Sequence, residues 1–313
     1  MHSQVSSVAQ NQADRIRSEC AIGVVTYNPD IPRLVQVLES SARQAESLIV
    51  VDNGSANVAE VEVILGAFPG AVLLKNVDNL GLARALNRIA ATAFIGGKWL
   101  VLLLDQDSIP SEAMLQTLYP YMHEDVGIVC PVVVDRNEEP RERLVSGDMA
   151  ANRAITSGSL LNLAAWSSVG GYDERLFVDW VDFEFCDNLR LHGYRLTRVF
   201  AATLLHELGR KELAMRIFRR DRQSGLEKRA YYRTNHEGVR LRDKARSQLI
   251  TIRKYWKHRE IRNEEIVIFL KGVALAILLE RRKVMVIRSI ASGVWDGASA
   301  VATDSPSALR SEQ

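Results

Sequence analysis

The chain is 313 residues long, 47% hydrophobic and 25% charged, with 40 Lys+Arg against 38 Asp+Glu and a formal net charge of +2. That is an ordinary globular composition, which excludes a disordered or collagen-like chain, and the length suits one large α/β domain with an appendage or two smaller domains. The near-balance is uneven: residues 210–262 hold 18 Lys/Arg against six Asp/Glu, a surplus of twelve positive charges that leaves the rest of the chain at −10, so the acidic body and the basic segment need separate accounts.

Residues 1–19 read as a polar tail, rich in Ser, Gln and Asn. The tail lacks the apolar core of a signal peptide, so export is not expected. Cys20, Cys130 and Cys186 match no metal or redox spacing; an odd, sparse set fits a reducing compartment and core packing.

From residue 21 apolar strands alternate with amphipathic helices. Residues 21–25 predict a strand, 31–45 a helix with Leu34, Val35, Leu38 and Ala42 at helical spacing, and 48–51 a second strand. A helix over 59–68, a short strand over 71–74 and an Ala/Leu-rich helix over 82–94 follow. Residues 99–104 are almost uninterruptedly apolar, the mark of a strand covered on both faces. Ser111 is placed to cap a helix over 111–121, and 127–134 is another strand. Beyond about 140 the pattern is less regular, with segments 155–161, 181–192 and 194–200 expected to complete the sheet. Such alternation gives a mostly parallel sheet with helices on both faces. After His206 the chain reads as helical and basic, and no stretch reaches the roughly 20 apolar residues of a spanning helix.

In open parallel sheets ligands bind beyond the carboxyl ends of the strands. Here those ends carry Thr26-Tyr27-Asn28-Pro29, then Asp52-Asn53-Gly54-Ser55, then Asn76 with Asp78-Asn79-Leu80-Gly81, and finally Asp105-Gln106-Asp107-Ser108. One such end is a common turn; a rim of them describes a polar cleft of nucleotide type. Alternate carboxylates after a buried strand, Asp105 and Asp107, can offer oxygens to one hard cation that neutralises a diphosphate. Asp52 reads either as an acceptor for a base or ribose or as an Asx turn. Gly81 opens a helix whose next turns carry Arg84 and Asn87, either a donor-lining surface or a plain helix start. Asp179-Trp180-Val181-Asp182 places two carboxylates three apart, one face of a helix if the segment is helical, with general-base work as one reading and helix capping as the other.

Read in order, these pieces resemble the family 2 glycosyltransferases of GT-A fold: Val24-Val25-Thr26-Tyr27-Asn28-Pro29, Val50-Val51-Asp52-Asn53-Gly54-Ser55, Asn79-Leu80-Gly81 with Asn87, Asp105-Gln106-Asp107, Ser157-Gly158-Ser159, Gly170-Gly171-Tyr172-Asp173-Glu174 and His206. The Asp-Gln-Asp-Ser form and the stretch 176–184 look most like the rhamnosyltransferase branch. The resemblance covers about residues 20–210. It implies inverting transfer from a nucleoside-diphosphate sugar, dTDP-rhamnose favoured, to a glycan or lipid-linked acceptor in cell-surface polysaccharide synthesis. It also implies that Thr26, Tyr27, Asp52, Asn79, Gly81, Asn87 and Asp105 bind the donor. Asp107, with Asp105 and His206, would hold Mg²⁺ or Mn²⁺. Many members carry Glu-Asp followed two residues later by Asp; here the position that often holds the base is Trp180, which takes no proton, so Asp179 is the first choice of base and Asp182 the second.

The expected organisation is therefore a tail over 1–19, a GT-A domain over 20–210 and a helical, basic region over 211–313. Within that last region the basic residues of 210–262 precede an apolar stretch, 266–279, followed by Arg281, Arg282 and Lys283. Attachment to an anionic membrane surface is the favoured reading; a solvated surface, a homo-oligomer contact and a nucleic-acid surface are the others, with nucleic acid the least expected. The location expected is cytoplasmic, peripheral on the inner face of the cytoplasmic membrane. The competing functions are a same-fold enzyme using a UDP-sugar such as UDP-galactofuranose or a UDP-hexose, and a nucleotide-sugar-binding module without catalysis. A nucleotidyltransferase needs a Gly-rich basic loop after the first strand, which Thr26-Tyr27-Asn28-Pro29 lacks.

Overall fold

The computed structural model of the protein describes residues 2–135, 147–206, 212–221, 225–233 and 237–302. The chain divides into two compact units, Met1–Phe177 with Val181–Glu207, and Val178–Trp180 with Leu208–Gln313.

The first unit opens with helix α1 (His2–Glu19), steadied by an Arg15–Glu19 pair one turn apart at 2.8 Å. Strand β1 (Cys20–Thr26) follows, then α2 (Ile31–Ala42), whose first turn is capped by the Asp30 carboxylate accepting from Arg33 N at 3.0 Å. Its Leu34, Val37 and Leu38 stripe is fully buried, as the 3.6-residue period demands. Next come β2 (Ser47–Asp52), α3 (Val58–Leu65), β3 (Ala71–Lys75), α4 (Leu82–Ile95) and β4 (Leu100–Asp105). A two-residue strand, β5 (Ile109–Pro110), leads into α5 (Met114–Leu118). That helix starts after Ala113 with no side-chain cap, so Ser111 is not its cap, and residues 119–121 tighten into a 3-10 turn. Then follow β6 (Val126–Asp135), β7 (Asp148–Ala150), β8 (Leu160–Asn162), α6 (Leu163–Ser168), α7 (Val181–Leu191) and β9 (Arg195–His206).

The sheet has the order β3-β2-β1-β4-β8-β6-β9-β5, with β7 also on β9. The first four strands are parallel, and their register aligns Lys75, Asp52 and Thr26, with Val25 opposite Asp105. The carboxyl ends expected to form a polar rim therefore do lie side by side. β8 enters antiparallel between β4 and β6, while β6 and β9 run parallel. The core sits under this sheet, from Ile22, Val24, Leu34 and Leu38 to Leu102, Leu104 and Met114.

The second unit corrects one expectation. Residues 212–221 and 225–233, expected to be helical, form an antiparallel strand pair, β10 (Glu212–Asp221) and β11 (Gly225–Arg233). The two strands pair in register from Met215 opposite Tyr231 to Asp221 opposite Gly225, with a bulge between Leu213 and Met215, and the dense Arg/Lys content gives no apolar period that marks them as strands. The helices α8 (Gly238–Lys254), α9 (Arg259–Leu279) and α10 (Lys283–Ala302) complete it. No helix among the described residues is long and apolar enough to cross a membrane.

Candidate functional site

The rim is organised by side chains that hold strand ends to one another. Asp52, fully buried at the end of β2, accepts the Thr26 hydroxyl at 2.9 Å and the Ser55 hydroxyl at 2.5 Å on Oδ2, and Ser55 N at 2.9 Å on Oδ1. The adjacent Asn28, at φ +47°, turns the chain away from β1 while its Oδ1 accepts from Ala56 N at 2.8 Å. Asn is among the few residue types that adopt this conformation readily. Thr26 and Asp52 thus form an internal brace, with both of the Asp52 oxygens committed to the protein.

Asn53, which the sequence did not single out, is the hub of the next loop. Its Nδ2 donates to Asn79 Oδ1 at 2.8 Å and to Gly81 O at 3.2 Å, and its Oδ1 accepts from Asn76 Nδ2 at 2.8 Å and Leu80 N at 3.0 Å. Asn79 Oδ1 also accepts Gly81 N at 3.0 Å, so the Asn79 amide oxygen is filled while its Nδ2 has no partner among the described residues. Gly81 sits at φ +89°, and a Cβ there would lie 2.8 Å from the Phe177 carbonyl oxygen. The close approach lets Leu82 N, the first amide of α4, donate to Phe177 O at 2.5 Å. Gly54 meets both demands as well: φ is +81° and a Cβ would strike the Asp78 carbonyl carbon at 2.6 Å.

Asn87 faces away from that loop. Its Oδ1 accepts the Trp166 indole N–H at 3.0 Å and Tyr172 N at 2.9 Å; its Nδ2 donates to Tyr172 O at 2.9 Å and Glu174 Oε1 at 3.1 Å. Two acceptor and two donor positions exhaust a primary amide. Asn87 was expected to line the donor pocket; the structure makes it the clamp for the Gly170-Gly171-Tyr172-Asp173-Glu174 loop, with Arg84 adding a 3.1 Å ion pair to Glu174.

Asp105 and Asp107 are half-buried at the exit of β4. Asp105 N donates to Ser157 Oγ at 3.1 Å, and Gly158 N donates to Leu103 O at 2.8 Å, which fastens the Ser-Gly-Ser segment along the end of the strand. Gln106 between them accepts Tyr27 N on Oε1 at 2.7 Å and donates Nε2 to Tyr27 O at 3.3 Å. Tyr27 is thereby fixed at its backbone while the residue stays 48% exposed. His206 ends β9, where it pairs with Asp135 of β6, and the preceding Leu205 pairs with Ile109, two residues after Asp107. The side chain of His206 lies outside the described residues. Among the described residues no group of three or more His, Cys, Asp or Glu converges as a metal cage.

Asp182 lies in the first turn of α7, and its Oδ1 accepts Phe183 N at 2.9 Å. Asp179 belongs to the second unit. Its amide donates to Asp243 Oδ2 at 3.1 Å, and its carboxylate pairs with Arg240 at 3.4 and 3.5 Å. The cysteines are all free and buried, with the thiol of each pushed up by burial.

The model of glycosyl transferase family 2 matches residues 21–186. The dTDP-rhamnosyl transferase RfbF of Shigella flexneri is 24% identical over 300 residues, covering 88% of this chain and 93% of that protein. Among solved structures, residues 1–349 of S. aureus TarS in complex with UDP-GlcNAc align at a TM-score of 0.54 and 13% identity, covering 91% of this chain and 83% of that one. GalNAc-T7 with UDP, GalNAc and Mn²⁺ aligns at 0.56 and 12% identity, covering 92% of this chain and 58% of that one. At such identities the likeness is one of fold, and the fold is GT-A-like.

Proposed function

The chain belongs to glycosyl transferase family 2 and is a glycosyltransferase, and from that membership we propose that it moves L-rhamnose from dTDP-rhamnose to a hydroxyl of a glycan or lipid-linked acceptor in the assembly of a cell-surface polysaccharide. The observation that carries the donor is the likeness to RfbF, which runs well beyond residues 21–186 and takes in 93% of that protein.

In this reading the ring of the exposed Tyr27 stacks on the nucleoside and Asn79 turns its uncommitted amide donors to the nucleotide sugar, with Gly81 keeping the backbone close. Thr26, Asp52 and Asn87 shape the pocket from behind. Asp105 and Asp107 are hard oxygen ligands. Mg²⁺ and Mn²⁺ commonly take one or two protein carboxylates and complete their shell with water and substrate phosphates, so this pair fits such an ion without a larger cage. The ion, when bound, offsets the charge on the departing nucleoside diphosphate.

Asp179 acts as the general base. It takes the proton of the acceptor hydroxyl as that oxygen bonds to the anomeric carbon and the bond to the diphosphate breaks, a single displacement that inverts the centre. Asp182, whose carboxylate accepts the Phe183 amide, is the second choice.

The test is turnover of a panel of dTDP- and UDP-sugars with Mg²⁺ or Mn²⁺. Fastest turnover of dTDP-rhamnose is expected. Turnover of UDP-sugars alone overturns the donor in favour of the second reading, which the UDP-GlcNAc complex of S. aureus TarS favours. Binding without turnover on any acceptor leaves a non-catalytic module.

For the second unit the proposed partner is an anionic membrane surface. Leu278, 62% exposed, and Trp295, 74% exposed, stand on α9 and α10 with Arg281, Arg282, Lys283 and Arg288 nearby in the chain. Apolar side chains flanked by cations suit interfacial binding. Co-sedimentation with anionic vesicles but not with neutral ones is expected; equal sedimentation with both overturns it.

A further inference from the structure

Trp180 occupies the position next to the proposed base, and its backbone is unusual. It has φ +74°, in the left-handed region where a bulky residue is a genuine outlier. Such a conformation persists only where the surroundings over-determine it, and these sites cluster where geometry matters to chemistry. Here the surroundings are specific. The Trp180 indole N–H donates to Glu265 Oε2 at 2.7 Å, and Glu265 is fully buried in α9. The Lys244 ammonium of α8 lies 5.6 Å from the indole centroid on its face. Immediately before Trp180, one carboxylate oxygen of Asp243 receives both Val178 N at 3.2 Å and Asp179 N at 3.1 Å. Arg240, one helical turn earlier on α8, reaches the Asp179 carboxylate itself.

These contacts fix a three-residue segment on every side. Asp243 holds its peptide groups, Arg240 holds the carboxylate, and Glu265 holds the side chain whose backbone is twisted into the left-handed region. Moving the indole lets the φ of Trp180 relax, and relaxation rotates the peptide that carries Asp179. An indole ring filling a core gap needs no charged acceptor; a fully buried carboxylate is a demanding partner that is retained where orientation matters.

We propose that Glu265 is a positioning residue for the transfer reaction: through the Trp180 indole it locks the left-handed turn that aims the Asp179 carboxylate. The inference rests on Asp179 being the base.

The experiment compares Glu265→Ala, Glu265→Gln, Trp180→Phe and Asp179→Asn in the full-length protein. The readouts are kcat for release of dTDP from dTDP-rhamnose with Mn²⁺, or from whichever sugar nucleotide the wild type turns over fastest, and the Kd for dTDP by calorimetry. Glu265→Ala and Trp180→Phe should each lower kcat at least tenfold with Kd within twofold. Glu265→Gln, whose amide oxygen still accepts the indole N–H, should recover most of the rate. Combined with Asp179→Asn, Glu265→Ala should add no further loss, since a positioning residue has nothing left to aim. Full kcat in Glu265→Ala alongside an inactive Asp179→Asn overturns the positioning role alone. Full transfer by Asp179→Asn overturns the base, and the positioning role with it. Equal impairment of Glu265→Ala and Glu265→Gln with a lowered Tm in both assigns Glu265 to folding and also overturns the inference.

Discussion

Gln106 and Tyr27 hold each other by a reciprocal pair of hydrogen bonds, side-chain amide to backbone, across the ends of β4 and β1. The middle residue of the Asp-Gln-Asp triplet is therefore the bolt that ties the end of β1 to the end of β4, beside the two carboxylates. Gln106→Ala removes both bonds, each worth about 0.5–1.5 kcal/mol net. Nucleotide affinity by calorimetry should weaken roughly three- to tenfold, with little change in Tm. An unchanged Kd would show that Tyr27 needs no such restraint.

Asn87 satisfies four partners on the 166–174 stretch at once. Asn87→Asp turns its two donors into acceptors facing the Tyr172 carbonyl and the Glu174 carboxylate. Urea unfolding should show a loss of about 2–3 kcal/mol. Asn87→Ala should lose a similar amount by leaving the Trp166 indole and Tyr172 N–H without an acceptor.

Asp107 is the carboxylate with the most to lose. Asp107→Ala should reduce metal-dependent turnover by roughly a hundredfold or more, equivalent to about 3 kcal/mol of barrier. Mn²⁺ affinity measured in the presence of dTDP should fall in parallel, and treatment with EDTA should silence the wild type to the same level. Undiminished turnover in this variant sinks the metal assignment.

Asp243 makes stability depend on pH with an uncommon sign. Burial raises its carboxyl above the ordinary range, opposed by the amides of Asp179 and Val178. When the folded value lies above the unfolded one, the folded state holds its proton longer, so stability falls as pH rises from the ordinary carboxylate range through the raised value. Asp243→Asn removes that slope. Across urea unfolding from pH 3 to 7, roughly the range in which carboxyls titrate, wild type should lose stability relative to the variant as pH rises; a constant difference would contradict this.

The three cysteines should be silent towards Ellman's reagent in the native protein and all react after denaturation. Burial pushes the Cys20 thiol up to about 12 and raises Cys130 and Cys186 as well, and the thiolate is the reactive form. Rapid native labelling of any one would show that its cover opens.

Much of the rim was legible because parallel strands announce themselves. The apolar run over 99–104 and the polar residues after each strand place Thr26, Asp52 and Asp105 in line, and the register bears that alignment out. Asn53 and Gln106 were not legible. A hydrogen-bonding hub is defined by partners from other loops, and no local period marks it. The strand pair β10–β11 was hidden by composition, since its many Arg and Lys and the bulge between Leu213 and Met215 leave no apolar alternation to read. Asp179 was read as part of the catalytic domain by its neighbours in sequence, but its hydrogen bonds belong to α8, and long-range partners of that kind are invisible to spacing arguments.

The fastening of Asp105 to Ser157, 52 residues further along the chain, has a consequence in time. β4 is apolar on both faces, and its outer edge is paired only by β8. As the chain leaves the ribosome, β4 can join β1 at once but must wait, edge open and the Asp105 amide unpaired, until Ser157 and β8 have been made. Distant pairings form late and leave unpaired edges that invite aggregation. A fragment ending before residue 157 should therefore be an aggregating species, although it contains the whole Asp-Gln-Asp triplet and the strands on one side of it, and the site comes into existence only when the second half of the sheet arrives.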